Sequence, residues 1–224
     1  MRTADRLFTP AEAGAVSGMK LKAVHNAIDK RIVEPAAKVR AVTIGKVNRT
    51  GSRLLTGEDL VRLRVWRGVG DTLSVERRVR LFMAIAAKPT ARMVKADELL
   101  IVDVGEARKQ VDRGVRELEA AEAVVVKDKA TLGGEPVFKG TRIPVYSVAA
   151  MLEAGASAKD LLSGYPKLTA RLLDLARIWV AAHPRRGRPK SLGDLGLTVR
   201  STKRVPLKSD PLAGRAKPVV SATG

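Results

Sequence analysis

The stretch GGEPVFKGTRIPV, Gly133 to Val145, has the residue types of a phosphate-binding loop: glycines, a lysine and a threonine. A Walker loop places its lysine after the last glycine, on the first turn of a helix, where the amine reaches the β- and γ-phosphates. Here Lys139 comes before Gly140. Pro136 also removes a backbone N–H from a loop that would have to offer such groups to an anion. The order of residues therefore argues against nucleotide binding.

The sequence has no set of residues at the spacing that catalysis or metal binding would need. The chain has no Cys and two histidines, His25 and His183, which are too few for a zinc site with the usual ligand number. The carboxylates of the central region are spread along a predicted strand and helix: Asp103, Asp112, Glu117 and Glu119. The sequence shows no pairing of a nucleophile with a base. We therefore expect a protein that is not an enzyme and holds neither metal nor cofactor.

Basic residues are the remaining groups with chemistry to offer, and they are concentrated at the two ends of the chain. The 224 residues include 42 Lys and Arg against 23 Asp and Glu, a net charge of +19. Residues 1–70 carry 14 basic and 6 acidic side chains, residues 183–224 carry 10 and 2, and residues 71–128 carry 11 of each. Such ends favour nucleic acid or an acidic protein as partner. Solvated surface charge in a highly basic proteome is the alternative.

The composition excludes two classes of protein. The absence of Cys excludes a disulfide framework. No apolar run approaches the roughly 18 residues of a membrane span, and the N-terminus has no hydrophobic signal region. We expect a cytoplasmic protein without a membrane partner, with a core of Leu, Val, Ile and Ala because aromatic residues make up only 3% of the chain.

Residues 1–70 carry the signals of a helix-turn-helix unit. Thr9-Pro10-Ala11-Glu12 predicts a capping box that begins a short helix, and Gly18 ends it. A second helix is predicted from Leu21 to about Arg31. Its inward stripe is Leu21, Val24 and Ile28. The opposite face carries the polar residues that we expect to contact DNA: Lys20, Lys22, His25, Asn26 and Lys30.

Two strands, Val39–Ile44 and Ser52–Leu55, are predicted next, followed by a helix from Thr56 to about Trp66. This order of elements resembles the winged-helix arrangement of MerR-like DNA-binding domains. The resemblance implies that the second helix enters the major groove while cations of the hairpin contact phosphates. Those cations are Lys46, Arg49 and Arg53.

Residues 71–128 form a neutral connecting or dimerisation region. A helix is predicted from Ser74 to about Ala87, a strand at Leu99–Val104, and a long helix from Gly105 to about Glu122. The first helix has apolar residues at helical spacing: Val75, Val79, Phe82, Met83 and Ala86. The long helix has a stripe of Ala107, Val111, Val115 and Leu118. This second stripe is either intramolecular core or a dimer seam, and we favour core as the commoner use.

Residues 129–182 are predicted to be a trihelical unit that follows a short hairpin. Val124–Val126 and Pro136–Phe138 are its strands, and Gly140 is a position of positive φ. Pro144 is expected at the first position of a helix that ends at Gly155. Ser157 and Thr169 are expected to cap two further helices, Ala158–Ser163 and Ala170 to about Ala182. Trp179 is interpreted as core, with an anchor for a partner as the alternative.

The segment GGEPVFKGTRIPVYSVAAMLEAGASAKDLLSGYPKLT, Gly133 to Thr169, resembles a bacterial antitoxin family. That family is built on a domain of unknown function with the signature G-x-P-V-x-x-G-T-R-I-P-V, an S-x-x-[DE]-[IL]-L turn and a Y-P-x-L-T cap. Its members are VapB-type antitoxins paired with a PIN-like ribonuclease toxin, and longer ones add a MerR-like domain in front. The resemblance implies toxin neutralisation and operator binding.

The tail, residues 183–224, consists largely of Pro, Gly, Ser and basic residues, so we expect it to be intrinsically disordered. It contains the core of an AT-hook, a ribbon that inserts arginines into the minor groove. This candidate hook is Arg186, Gly187, Arg188 and Pro189. A basic linker is the equally weighted alternative.

A second use of the tail follows from the resemblance, because PIN-like nucleases hold Mg²⁺ with clustered carboxylates. The tail's cations would occupy that acidic site while its apolar residues fill grooves of the toxin. The residues assigned to this contact are Leu195, Leu197, Val199, Arg200, Lys203, Arg204, Val205 and Leu207.

Together these observations predict a mainly α chain with short β-hairpins: an N-terminal winged helix-turn-helix, a C-terminal trihelical helix-turn-helix-like domain and a disordered basic tail. The predicted function is that of a type II antitoxin that neutralises a PIN-like ribonuclease toxin and binds operator DNA as an autorepressor, as a dimer or higher homo-oligomer. The alternative is a stand-alone DNA-binding regulator or nucleoid-type protein with an AT-hook-like tail.

Overall fold

Helices dominate the computed structural model of the chain, which describes residues 6–33, 53–70, 72–95, 97, 98 and 100–185. The helices of this part are α1 (Pro10–Ser17), α2 (Leu21–Asp29), α3 (Gly57–Val69), α4 (Val75–Ala87), α5 (Val104–Ala123), α6 (Val145–Glu153), α7 (Ala158–Gly164) and α8 (Ala170–Ala182). Its strands are β1 (Met93–Lys95), β2 (Ile101–Asp103), β3 (Val125–Val126) and β4 (Val137–Phe138). The predicted mainly helical class is therefore confirmed.

Side-chain caps fix where the helices begin. Thr9 and Glu12 form the predicted capping box of α1, in which the Thr9 N–H donates to Glu12 Oε2 at 2.6 Å. Thr56 forms a second capping box at the start of α3. Ser157 and Thr169 accept hydrogen bonds at the starts of α7 and α8, as predicted. Each cap satisfies an N–H that the first helical turn cannot pair itself.

Helix α5 is the centre of the packing. It contacts α1, α3 and α8, and these helices belong to a single unit that ends at Arg185. The predicted stripe of α5 is buried, with Val111 at 1%, Val115 at 3% and Leu118 at 0% exposure. The interpretation of this stripe as intramolecular core is confirmed.

Strands β3 and β4 form the predicted hairpin, paired antiparallel with Val125 opposite Phe138. The turn after β4 is closed by Thr141, whose N–H and hydroxyl both donate to the Phe138 carbonyl, at 3.0 and 2.9 Å. Gly140 has a φ of +74°, as predicted. The glycine and threonine of the opening stretch therefore build a turn rather than a phosphate cradle.

The prediction that Pro144 begins α6 is wrong by one position. Its ψ of 129° is extended, so Pro144 is the residue before the helix. It forms a bridge with Val137, and the N–H of Val145 donates to the Pro136 carbonyl at 3.0 Å. Pairing with the hairpin keeps Pro144 out of helical geometry.

Sheet β1–β2 lies beside α4 and was only half predicted. Strand β2 falls within the predicted Leu99–Val104 strand, whereas β1 has three residues and only Val94 is buried. Val104 is the first residue of α5 rather than the end of the strand. In α4, Leu81 and Ile85 are buried, while much of the apolar stripe seen in the sequence faces solvent.

Arg6 joins the beginning of the described chain to α5. Its guanidinium donates two hydrogen bonds to Glu122, at 3.0 and 2.8 Å, and lies 3.8 Å from Glu12. Burial opposes the charged form of Arg6, but the hydrogen bond and the charges of Glu122, Glu12 and Glu119 raise its pKa overall.

Among the described residues, no helix is both long and apolar enough to cross a membrane.

Candidate nucleic-acid interface

Helices α1 and α2 are joined by a tight turn that depends on Gly18. Its φ of +72° is left-handed, a conformation that costs little only for glycine. The N–H of Met19 returns to the Gly14 carbonyl at 2.9 Å and ends α1. The turn therefore sets the angle at which α2 leaves α1.

The turn is also held from α3. Arg64 and Arg67 donate hydrogen bonds from Nη1 to the Ser17 carbonyl, at 3.4 and 3.3 Å. Nε of Arg64 donates to Gln110 Oε1 of α5. These two arginines hold the turn of the candidate interface, although the sequence pattern did not single them out. Two cations one helical turn apart are a common surface pattern, so the sequence held no specific signal for this role.

Helix α2 buries Val24, Ala27 and Ile28 against the rest of the unit. Leu21, predicted to belong to this stripe, is 36% exposed, so that part of the prediction is wrong. At 100° per residue Leu21 lies at the edge of the buried arc, on the side away from Ala27. The helix also ends at Asp29, two residues before the predicted end, because Arg31 has a φ of +53°.

The five residues predicted to contact DNA from the helix-turn-helix are all exposed: Lys20, Lys22, His25, Asn26 and Lys30. Lys22, Asn26 and Lys30 are spaced four residues apart and share one face. Lys20 precedes the first residue of α2, where no side chain caps the helix and no acidic residue occupies the first turn. Cations there oppose the positive helix end, an arrangement that an approaching phosphate would relieve.

Arg53 is brought beside this face. Its Nη1 lies 2.6 Å from Asp29 Oδ1 at the end of α2, and both side chains are more than half exposed. The other two predicted hairpin cations, Lys46 and Arg49, lie outside the described residues, as does the predicted strand Val39–Ile44. Of the strand predicted at Ser52–Leu55, Leu55 pairs with Phe8 through two hydrogen bonds of 2.8 Å.

The trihelical unit presents a different charge pattern. On α8, Arg171 lies 2.6 Å from Glu117 of α5, and Arg177 lies 3.9 Å from Asp174. Both cations of α8 thus have a carboxylate beside them. Among the ion pairs of the described residues, only Asp29–Arg53 involves a side chain of α2. The electrostatics therefore favour α2 over α8 as the helix that faces an anion.

The C-terminal end of α8 is built from aromatic contacts. Trp179 is 3% exposed, which confirms it as core; it meets Tyr146 edge-to-face with ring centroids 5.3 Å apart. His183 stacks on Trp179 at 4.6 Å. Tyr146 donates its hydroxyl to the His183 carbonyl at 2.6 Å, and its burial raises the pKa of that hydroxyl. The predicted hook and toxin-binding residues follow this segment and lie outside the described residues.

A group of possible metal ligands is formed by Glu12, Glu122 and His183, whose ligand atoms lie within 4.8 Å of one another. Arg6 is paired with both carboxylates of this group. The two carboxylates of the group therefore already belong to an ion-pair cluster with Arg6.

Comparison with known proteins identifies one stretch of the chain and one relative along its length. Residues 125–177 match the family described as "Protein of unknown function (DUF433)". The uncharacterised protein y4eO of Sinorhizobium fredii is 31% identical over 223 residues, which cover 92% of this chain and 95% of the relative. No solved structure matches the chain.

Proposed function

We propose that this chain, which belongs to the same family as the Sinorhizobium fredii protein y4eO, is an antitoxin that binds its own operator. Helix α2 of the helix-turn-helix reads the DNA, and the C-terminal tail neutralises a PIN-like ribonuclease toxin. The chain acts as a regulator of its own gene rather than as an enzyme.

The observation that carries the DNA-binding part is the exposed polar face of α2. This face combines cations with groups that recognise base edges, namely Asn26 and His25. Asparagine pairs in a bidentate manner with adenine in the major groove, and lysines contact phosphates. The turn at Gly18 and the arginines of α3 hold the helix in place. A MerR-like wing is proposed for the segment that contains Lys46, Arg49 and Arg53.

The antitoxin part is supported by the signature of the trihelical unit. The segment that resembles the antitoxin family, Gly133–Thr169, lies inside the residues that match the DUF433 family. In the structure the signature builds the β3–β4 hairpin and the start of α6, so its residues serve the fold of the unit. Toxin contacts are therefore assigned to the tail from Leu195 to Leu207.

Co-purification with the product of the adjacent gene tests the whole proposal. We expect the tagged full-length chain to retain a small nuclease, and a chain that ends at Ala182 to lose it. Both should bind DNA from the promoter of their own gene. If neither form retains a partner while both bind promoter DNA, the chain is a stand-alone regulator. Failure of the full-length chain to bind its promoter DNA would overturn the DNA-binding part.

A further inference from the structure

Helix α4 presents an apolar face to solvent that the rest of the described chain does not cover. Val75, Val79 and Met83 are 61%, 52% and 66% exposed, and they lie four residues apart along the helix. The opposite face holds α4 in the fold through Leu81 and Ile85, which are 0% and 1% exposed. Exposed apolar residues that form a continuous stripe are typical of interaction sites.

This stripe forms the floor of a groove of about 590 Å³. Phe82 and Ala86 extend the floor on α4, and Ile32, which follows α2, also lines the groove. From Val75 to Ala86 the stripe runs about 17 Å, the length of a three-turn helix. Helices that bind such grooves insert apolar side chains at spacings of three and four residues.

The rim of the groove is positively charged. Its cations are Lys30, Arg31, Arg62 and Arg78, and no carboxylate of the described residues lines the groove. Arg62 is offset in part by Asp59, whose Oδ1 lies 3.6 Å away. Arg31 holds its rim position with a φ of +53°, in the left-handed region where a non-glycine residue is strained.

Charge decides between the occupants of the groove. A second copy docked through the same face would bring these four cations against four identical ones. The chain's own segments outside the described residues are also basic: residues 34–52 carry 4 basic and 1 acidic side chains, and residues 186–224 carry 9 and 2. A partner with acidic side chains beside an apolar stripe complements both the rim and the floor.

We propose that this groove binds an amphipathic helix with acidic flanks from a protein partner. The contact requires neither the DNA-binding role nor the antitoxin role proposed above. Lys30 belongs both to the rim and to the candidate DNA face, so the test leaves it unchanged.

The test uses the full-length chain and a fluorescent helical peptide of about 14 residues, with leucines along one face and glutamates on both flanks. A second peptide has the same leucines and lysine flanks. We expect saturable binding of the glutamate peptide, weakened by salt, and no binding of the lysine peptide. Replacing Val79 and Met83 together by Ser should lower the affinity at least about tenfold. Leu132→Ser, which removes an equally exposed apolar side chain outside the groove, should not.

Two charge variants distinguish specific binding in the groove from nonspecific binding of the peptide to the protein surface. Arg78→Glu should lower the affinity for the glutamate peptide and allow the lysine peptide to bind. Arg31→Gly should raise the melting temperature, because glycine relieves the left-handed backbone, while lowering affinity for the glutamate peptide. Such a gain of stability with a loss of binding cannot come from a folding defect.

Three results would overturn the proposal. These are failure of the glutamate peptide to bind, equal binding of the two peptides, and unchanged binding by the Val79 and Met83 double variant. Sedimentation of the wild-type chain gives a fourth: a dimer that the same double variant dissociates would make a second copy the occupant.

Discussion

Arg53 Nη1 lies 2.6 Å from Asp29 Oδ1, which ties the start of the segment leading into α3 to the end of α2. The pair sits at the candidate DNA face and has two opposite effects there. It orients a cation beside the helix, and it also places a carboxylate where phosphates would approach. Because both side chains are exposed, the pair contributes little to stability.

Asp29→Asn should therefore strengthen DNA binding. The substitution frees Arg53 and removes a like-charge repulsion, so affinity should rise a few-fold and the slope of log affinity against log salt should steepen by about one unit. Fluorescence anisotropy at several salt concentrations measures both. Asp174→Asn, which removes an equally exposed charge from α8, is the matched control. Equal gains in the two variants would show that net charge alone is responsible.

Gly18→Ala should destabilise the chain by about 1–2 kcal/mol, because the left-handed φ penalises a Cβ. The added methyl would also displace the Arg67 side chain, whose Nη1 lies 2.0 Å from the Cβ position. Gly68→Ala is the control, since nothing lies within 4 Å of a Cβ there and Gly68 is in a helix. It should stabilise by about 0.5–1 kcal/mol. Chemical denaturation followed by circular dichroism measures both.

The caps account for most of what the sequence alone predicted about the fold. Thr9, Thr56, Ser157 and Thr169 each begin a helix within a residue of the predicted start, because capping depends on a few neighbouring residues and hardly on the rest of the chain. Strand β1 was missed because its three residues offer no repeated pattern.

The orientation of α4 and the role of Arg53 depend on distant residues and were not predictable. Apolar side chains lie on two faces of α4, and only the packing of the whole unit decides that Leu81 and Ile85 go inside. Arg53 meets Asp29 across 24 residues of sequence. The polar face of α2 was predictable because amphipathic spacing identifies a helix surface without tertiary contacts.

Asp103 should make the stability of α5 depend on pH in the acidic range. Its carboxylate accepts the Glu106 N–H at 2.9 Å, and this hydrogen bond is the main cause that lowers its pKa from the ordinary 3.8. A lowered folded-state pKa gives a contribution that is present above the unfolded value and is lost as the pH falls through the folded one.

Asp103→Asn keeps an acceptor for this hydrogen bond without a titrating charge. Melting temperatures between about pH 2 and 6 should therefore fall less steeply for the variant than for the wild type, since the native carboxylate titrates in that window. Asp103→Ala removes the acceptor and should be less stable than both at neutral pH. Parallel acid profiles of the wild type and the Asn variant would contradict the assignment.

Trp179→Ala should destabilise the unit by about 3–5 kcal/mol, because it removes a large buried side chain. The contacts with Tyr146 and His183 would be lost with it. Trp179→Phe keeps part of the ring packing and should cost less. Far-UV circular dichroism in denaturant measures the change. Since α8 packs on both α1 and α5, the transition should shift as a whole. A separate early transition would instead show that the trihelical unit unfolds alone.

The double variant Lys22→Ala/Asn26→Ala, assayed on DNA from the chain's own promoter, shows directly whether the polar face of α2 reads DNA. Both side chains are exposed on α2, so the fold should be unaffected. We expect a loss of specific affinity of about tenfold or more and a salt slope that is shallower by about one unit. The control, Lys159→Ala/Lys167→Ala in the trihelical unit, should bind like the wild type. Unchanged binding by the α2 variant, or an equal loss in the control, would contradict the assignment of α2 as the DNA-reading helix.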